Sequence, residues 1–277
     1  MKIRICGFLV LLGPCLSAPA NSQQLKPETA RDFECYAQSV EARLDARKVF
    51  LLADGDAALN GQVVRGQHGE LVAANGPNPH KVAGGQLYDF IGTVFIPGAT
   101  LERTIRMLQD YDHRSRYFSE TISASKLLCR TGDNRFRYTM RLKEPAVIDV
   151  ESDVTWERVD ANRWRCRSYS TSVHEVGKDH RYLLRLYSYW RFAQAEKGVY
   201  AEGETVTLSG EFGSLTRALG SMVGISPEKS LRHSLDSIRE TLLKPGLDFS
   251  GLPTGLPECG EAFRPSGCAK APGTAAP

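Results

Sequence analysis

Residues 182–209, YLLRLYSYWRFAQAEKGVYAEGETVTLS, constrain the fold of this chain more than any other stretch. Two long runs meet at a short polar turn, residues 195–198, that closes on Gly198. The first run is dense in aromatic and bulky apolar side chains, and the second alternates along its length. This is the pattern of a β-hairpin. Two strands alone are marginal in water, so a hairpin this apolar needs more strands and a helix against it. A Gly- and Ser-rich stretch follows, and then a well-punctuated helix over residues 226–243. Ser226 offers an N-cap, Pro227 takes the first helical position, and Pro245-Gly246 stops the helix. Leu231, Leu235, Ile238 and Leu242 form one apolar stripe along it.

The chain before the hairpin supplies the other strands. Residues 86–96 read as a strand halted by Pro97-Gly98. Thr100 then caps a short helix with Leu101, Ile105 and Leu108 on one face, and Asp110 or Asp112 caps a second that runs through Phe118. Strands follow at residues 122–129, 135–143, 147–157 and 164–176. In 135–143, Phe136, Tyr138, Met140 and Leu142 alternate with Arg135, Arg137, Thr139, Arg141 and Lys143. In 147–157, Ile148, Val150, Val154 and Trp156 alternate with Asp149, Glu151, Asp153 and Glu157. The outward face is therefore basic on one strand and acidic on the next, and antiparallel neighbours pair those charges. Upstream, residues 28–48 read as a helix with Phe33, Ala37, Val40 and Leu44 in phase. It forms a lead-in packed on the main domain, with residues 49–52 as a possible continuation. Residues 61–74 suit a small hairpin, and 75–85 a loop.

The order is strand, two short helices, about six strands and one long helix, by ordinary strand lengths. With IPGATLERTIRMLQDYDHRSRYF, the following SKLL, the YSYWRF and VYAEGETVTLS strands and the closing helix, residues 86–243 resemble the START / polyketide cyclase-like (SRPBCC) superfamily. The likeness covers somewhat over half the chain and is similar above all to secreted bacterial members. It implies an α+β helix-grip fold, an antiparallel sheet curved around the long C-terminal helix. It also implies an apolar cavity between sheet and helix for a lipid, polyketide or similar ligand. The domain plan is then a signal at 1–20, a helical lead-in and linker at 21–85, the helix-grip domain at 86–244 and a Pro/Gly/Ala-rich tail at 245–277.

The residues agree with such a cavity. Phe136, Tyr138, Met140, Leu142, Ile148, Val150, Val154 and Trp156 line the sheet's inner face, opposite Leu235 and Ile238; the alternative is that they simply close a core. On the hairpin's first strand, Leu184, Leu186, Ser188, Trp190 and Phe192 point inward in one phase. On residues 164–176 the matching phase gives Trp164, Cys166, Ser168, Ser170, Ser172 and His174. Ser170 and Ser188 are then polar points for a ligand. On the last strand, the phase with Tyr200, Val206 and Leu208 inward also brings in Glu202 and Glu204. These two with His174 are the weak catalytic candidates of a cyclase- or hydrolase-like enzyme, the alternative to a binding protein. The blander reading pairs them with arginines such as Arg141, Arg185 or Arg191 on an exposed face, since buried acids are uncommon. Asp112 and His113 form either a polar rim near the cavity mouth or a cap beside a solvated histidine. A third function is a protein-interaction module, with residues 28–52 and the tail docking a partner.

Several classes are excluded or given no support. Gly-x-Ser-x-Gly, P-loop and G-x-G-x-x-G patterns are absent. The six histidines show no metal spacing, and Asp54-Gly55-Asp56 lacks the later ligands of a calcium loop, so neither metal nor cofactor is expected. Lys2 and Arg4, an apolar run over residues 5–16 and Ala18-Pro19-Ala20 make a secretory signal cleaved near Ala20, which places the protein in the periplasm or outside the cell. The run is short for a membrane span, and acylation at Cys15 fits poorly behind Pro14. Cleavage lowers the net charge from +3 to +1, no basis for nucleic-acid binding, and Arg163, Arg165 and Arg167 read as one solvated strand face. Of the five remaining cysteines, Cys259 and Cys268 flank a short loop and are the best disulfide pair. Cys129 and Cys166 are a second pair or two buried thiols, and Cys35 is left over.

Overall fold

The computed structural model describes residues 25–54, 64–65, 71–76, 78–177, 180–211, 227–265 and 268. The signal region, the Ser226 cap and Gly55-Asp56 lie outside the described residues. The elements, in order, are α1 (Pro27–Ala46), β1 (Val64–Arg65), β2 (Leu71–Ala74), β3 (His80–Val82), β4 (Gly85–Pro97), α2 (Leu101–Gln109), α3 (Arg114–Tyr117), β5 (Ile122–Gly132), β6 (Arg135–Leu142), β7 (Ile148–Arg158), β8 (Arg163–Glu175), β9 (Arg185–Ala195), β10 (Gly198–Gly210) and α4 (Pro227–Leu243). All strand pairs are antiparallel, in the order β1-β2-β4-β10-β9-β8-β7-β6-β5, with β3 also on β4. The long C-terminal helix lies over β4 and β10. The helix-grip arrangement expected from the sequence is the one the chain adopts.

The opening hairpin is β9–β10, and its strand register runs unbroken from Gly198↔Ala195 to Leu208↔Arg185. β10 pairs on its other side with β4, which closes the meander back onto the first long strand. Period-two patterning sorts side chains to two faces. On the α4 face, Phe136, Tyr138, Met140, Val150, Val154 and Trp156 are buried with Ile105, Met107 and Leu108 of α2 and Leu231, Leu235 and Ile238 of α4. Fully burying an apolar side chain of this size stabilises the fold by about 1.5–3 kcal/mol. Outward charges of β6 and β7 pair across the register, as the alternation requires. Arg137 donates to both Asp153 oxygens at 2.7 and 2.8 Å, and Arg141 to both Asp149 oxygens at 2.7 and 2.9 Å.

The other face carries a second core. Phe33, Ala37, Val40 and Leu44 of α1 pack there on Leu87, Tyr169, Tyr187, Tyr189, Val206 and Leu208. The helix ends at Ala46, so residues 49–52 do not continue it, and Leu52–Asp54 form a single 3-10 turn. The molecule thus has three layers, α1, the sheet, and α2 to α4. The apolar face of α1 is spent on its own sheet.

The C-terminal stretch corrects two further expectations. Cys259 and Cys268 do not bond each other. Cys259 bonds Cys129 of β5, and Cys268 bonds Cys35 of α1. The reason is the path of the chain. Cys259 lies along β5, its N–H donating to the Arg130 carbonyl, whereas Cys268 has crossed to α1, where its N–H meets Gln38. The stretch is also no loose tail through residue 265. Phe249 is buried against Tyr117, Arg106 donates to the Phe249 carbonyl at 3.0 Å, and Phe263 packs on Tyr169 and Tyr187. It is a strap that passes the β5 edge and joins both faces of the sheet. Cys166 is the free cysteine among the described residues; burial pushes its thiol up to about 12. Among the described residues, no helix is long and apolar enough to cross a membrane.

Candidate functional site

β8 decides which polar residues reach the α4 face. From Trp164 to Ser170 the even positions face α4, with Cys166, Ser168 and Ser170 buried. A bulge then intervenes, since Ser152 pairs Ser170 while Glu151 pairs Ser172 and Thr171 is skipped. One extra residue flips the phase. Val173 turns inward, and His174 is exposed on the outer face, opposite Asp149. Ser172 moves with it.

The phase of β10 is the second correction. Tyr200, Glu202, Glu204, Val206 and Leu208 share one face, but that face looks at α1 and not at the long helix. Glu202 and Glu204 are buried to 2% and 1% exposure. Arg47 donates to Glu202 at 2.7 Å, and the Leu52 N–H donates to it at 2.6 Å. Arg43 donates to Glu204 and stands 3.8 Å from Asp89. Desolvation, with Asp89 beside it, raises the Glu204 carboxyl to about 8 in spite of Arg43. The arginine pairing foreseen for these acids is real, with Arg43 of α1 and Arg47 at its C-cap as partners, but both carboxylates are buried, and only the Arg43 side chain is exposed. His174 is on another strand and in solvent, so no acid–base cluster of Glu202, Glu204 and His174 forms.

On the α4 face the binding residues named from sequence are brought together. Phe136, Tyr138, Met140, Val150, Val154, Trp156, Leu235 and Ile238 are buried in one cluster. Leu142, Leu186 and Trp190 are half-buried against it. Leu184, just before β9, instead joins the α1-face core. Ser170 accepts the Leu186 N–H at 3.0 Å and so spends its oxygen on the sheet. These side chains close a core over most of the face. Two hollows lie elsewhere. A crevice of about 10 Å³, room for roughly one water, lies among Leu44, Arg191 and Glu202, and one of about 150 Å³ lies between α2 and the strap.

One part of the α4 face is covered less completely. Tyr88 of β4, Leu186, Ser188 and Trp190 of β9 and Thr205 and Thr207 of β10 lie together there, because Thr205 pairs Ser188 and Thr207 pairs both Leu186 and Tyr88. All six are half-buried. The Thr205 and Thr207 hydroxyls are buried without a hydrogen-bond partner. Gly203 makes room for Trp190, whose indole lies against its backbone, so that an added Cβ would stand 2.6 Å from the ring. The row continues across the sheet, with Ser168 opposite Ser188 and the Tyr138 hydroxyl 3.0 Å from Ser168 Oγ. Thr205 and Thr207 were hidden in the sequence by the choice of face for β10; assigning its odd positions to the long helix brings them out.

The stretch between α2 and β5 differs from either expectation for it. Asp112 caps no helix; it accepts the Leu127 N–H at 2.7 Å and the Lys126 ammonium at 2.5 Å, which anchors β5. His113 Nδ1 lies 2.8 Å from Asp110, and Tyr117 donates to that carboxylate at 2.6 Å. Asp110 is buried also under the Ser250 N–H of the strap, so this group locks the strap down.

No family model matches the chain, and no curated protein does. Solved structures do. The STAR-related lipid transfer protein from Xanthomonas axonopodis is 16% identical, with 66% of this chain and 98% of that chain covered and a TM-score of 0.49. Human STARD10 is 14% identical over 81% of this chain and 83% of its own, TM-score 0.49. Human StAR-related lipid transfer protein 5 is 13% identical over 74% and 95%, TM-score 0.47.

Proposed function

We propose that this protein is exported and binds an apolar small molecule or lipid on the α4 face of its sheet. The observation that carries the reading is the half-buried patch of Tyr88, Leu186 and Trp190 around two buried hydroxyls, Thr205 and Thr207, that have no partner. A buried hydroxyl without a hydrogen bond costs roughly 1–3 kcal/mol, and a ligand bearing an acceptor or donor relieves it. Apolar surface around a few polar groups is the usual make-up of a small-molecule site. A ligand of lipid size enters here by displacing side chains that otherwise close the core. Export is supported by the signal-like residues 1–20 and by two disulfides, which persist in oxidising compartments. The carboxylates that an enzyme would have used are occupied by α1, so binding is favoured over catalysis.

The test is a titration of the purified protein with diphenylhexatriene, a neutral apolar fluorophore. Saturable uptake, with energy transfer from tryptophan that falls in Trp190→Phe, is the expected result. A folded protein that takes up no probe, or takes it up without any dependence on Trp190, would overturn the reading.

A further inference from the structure

Several arginines among the described residues meet a carboxylate. Arg47 and Arg191 have Glu202, Arg43 has Glu204, and Arg137 has Asp153. Arg114, the first residue of α3, does not. Its guanidinium points into the α4-face core, 4.2 Å from the Tyr111 ring centre and 4.9 Å from that of Tyr138. Tyr111 and Tyr138 are 1% and 4% exposed. One terminal nitrogen donates to the Leu108 carbonyl at 2.9 Å. Its Nε is buried with no acceptor, and among the described residues no carboxylate stands within ion-pair reach. Two aromatic faces offset part of the cost of this burial. They leave the charge uncompensated, which is the costly arrangement for a cation taken out of water.

The surroundings of Arg114 connect it to the patch. Tyr138, over which it lies, hydrogen-bonds Ser168, and Ser168, Ser188 and Thr205 stand opposite one another on successive strands. Two strand spacings, about 10 Å, separate Ser168 from Thr205. A head group at Arg114 and an aliphatic tail reaching Tyr88, Leu186 and Trp190 would therefore be the ends of one elongated molecule. We propose that the ligand is an anionic amphiphile, and that Arg114 is its charge-recognising residue, pairing with a carboxylate or phosphate head. This rests on the binding reading above and deepens it. The geometry suits a guanidinium, whose planar fork takes either anion through two hydrogen bonds.

The experiment compares three ligands of equal chain length, oleate, methyl oleate and oleyl phosphate, on the purified chain at about pH 8, where both acids are ionised. The expected result is that one or both anions bind at least tenfold more tightly than the ester, and the two anion arms say which head is preferred. In Arg114→Met the anion-to-ester ratio falls to within about threefold, and Arg114→Lys keeps most of it; circular dichroism confirms that each variant is folded. Equal binding of anions and ester by the native protein overturns the proposal and leaves apolar binding standing. A preference that survives in Arg114→Met overturns the assignment to Arg114. Binding of none of the three overturns the function proposed above, and this proposal with it.

Discussion

Glu202 and Glu204 stand two residues apart on β10 and respond differently to substitution. In the unfolded chain Glu204 loses its proton near the ordinary value of 4.5, whereas in the folded chain it holds it up to about 8. Between those values the folded state binds the extra proton, so stability falls as pH rises through the window and is constant below it. Urea unfolding at about pH 5 and pH 8 should show the native protein weaker at the higher pH, and Glu204→Gln should lose most of that difference; an unchanged difference contradicts the account. Glu202 depends on its cation. Arg47→Met leaves it buried with the Leu52 N–H and with Arg191 at 3.9 Å, an expected loss of about 3–5 kcal/mol by chemical denaturation. Arg47→Met combined with Glu202→Leu should recover most of the loss, because neither charge is then stranded.

At the scale of elements, the strap and the β9–β10 hairpin each offer a test. Phe249 is 2% exposed between α2 and Tyr117, and Phe249→Ala should cost about 3–5 kcal/mol. The Cys35–Cys268 bond closes a loop of 233 residues, and replacing both cysteines by serine should cost roughly 2–4 kcal/mol, with faster hydrogen exchange in α1. In the hairpin, Gly203→Ala pushes a methyl into the Trp190 ring, for about 1–3 kcal/mol and a shift in tryptophan emission; an unshifted spectrum would mean that Trp190 does not rest on Gly203. These elements differ in how far the sequence revealed them. The hairpin turn, the α4 stripe and the Arg137–Asp153 and Arg141–Asp149 pairs follow from local periodicity, and all were legible. The strap was not. Its Pro- and Gly-rich composition resembles that of a loose tail, and its order comes from Phe249, Phe263 and two long-range disulfides that no local pattern encodes. The bulge at Thr171 was equally silent, and it alone turned His174 outward.

For the whole molecule, the sheet's two faces divide the polar chemistry. On the α1 face, Arg43 and Arg47 bond the buried Glu204 and Glu202, and Arg191 bonds the helix end at the Leu44 carbonyl. On the α4 face, the buried polar groups without partners among the described residues include Arg114 Nε and the Thr205 and Thr207 hydroxyls, set among aromatic side chains. The sequence placed the apolar residues of β6 and β7 on that face through their alternation. It could not assign Glu202 and Glu204 to a face, because β10 is buried on both sides and the period of two says only which residues travel together. The claim that this face holds an apolar ligand is tested most directly by native mass spectrometry of the protein as purified, before and after extraction with organic solvent. The account predicts an extra mass on the native protein, one per chain, that extraction removes and that returns when the lipid extract is added back. A chain that runs at its bare mass in every sample, and stays bare when offered the extract, would contradict it.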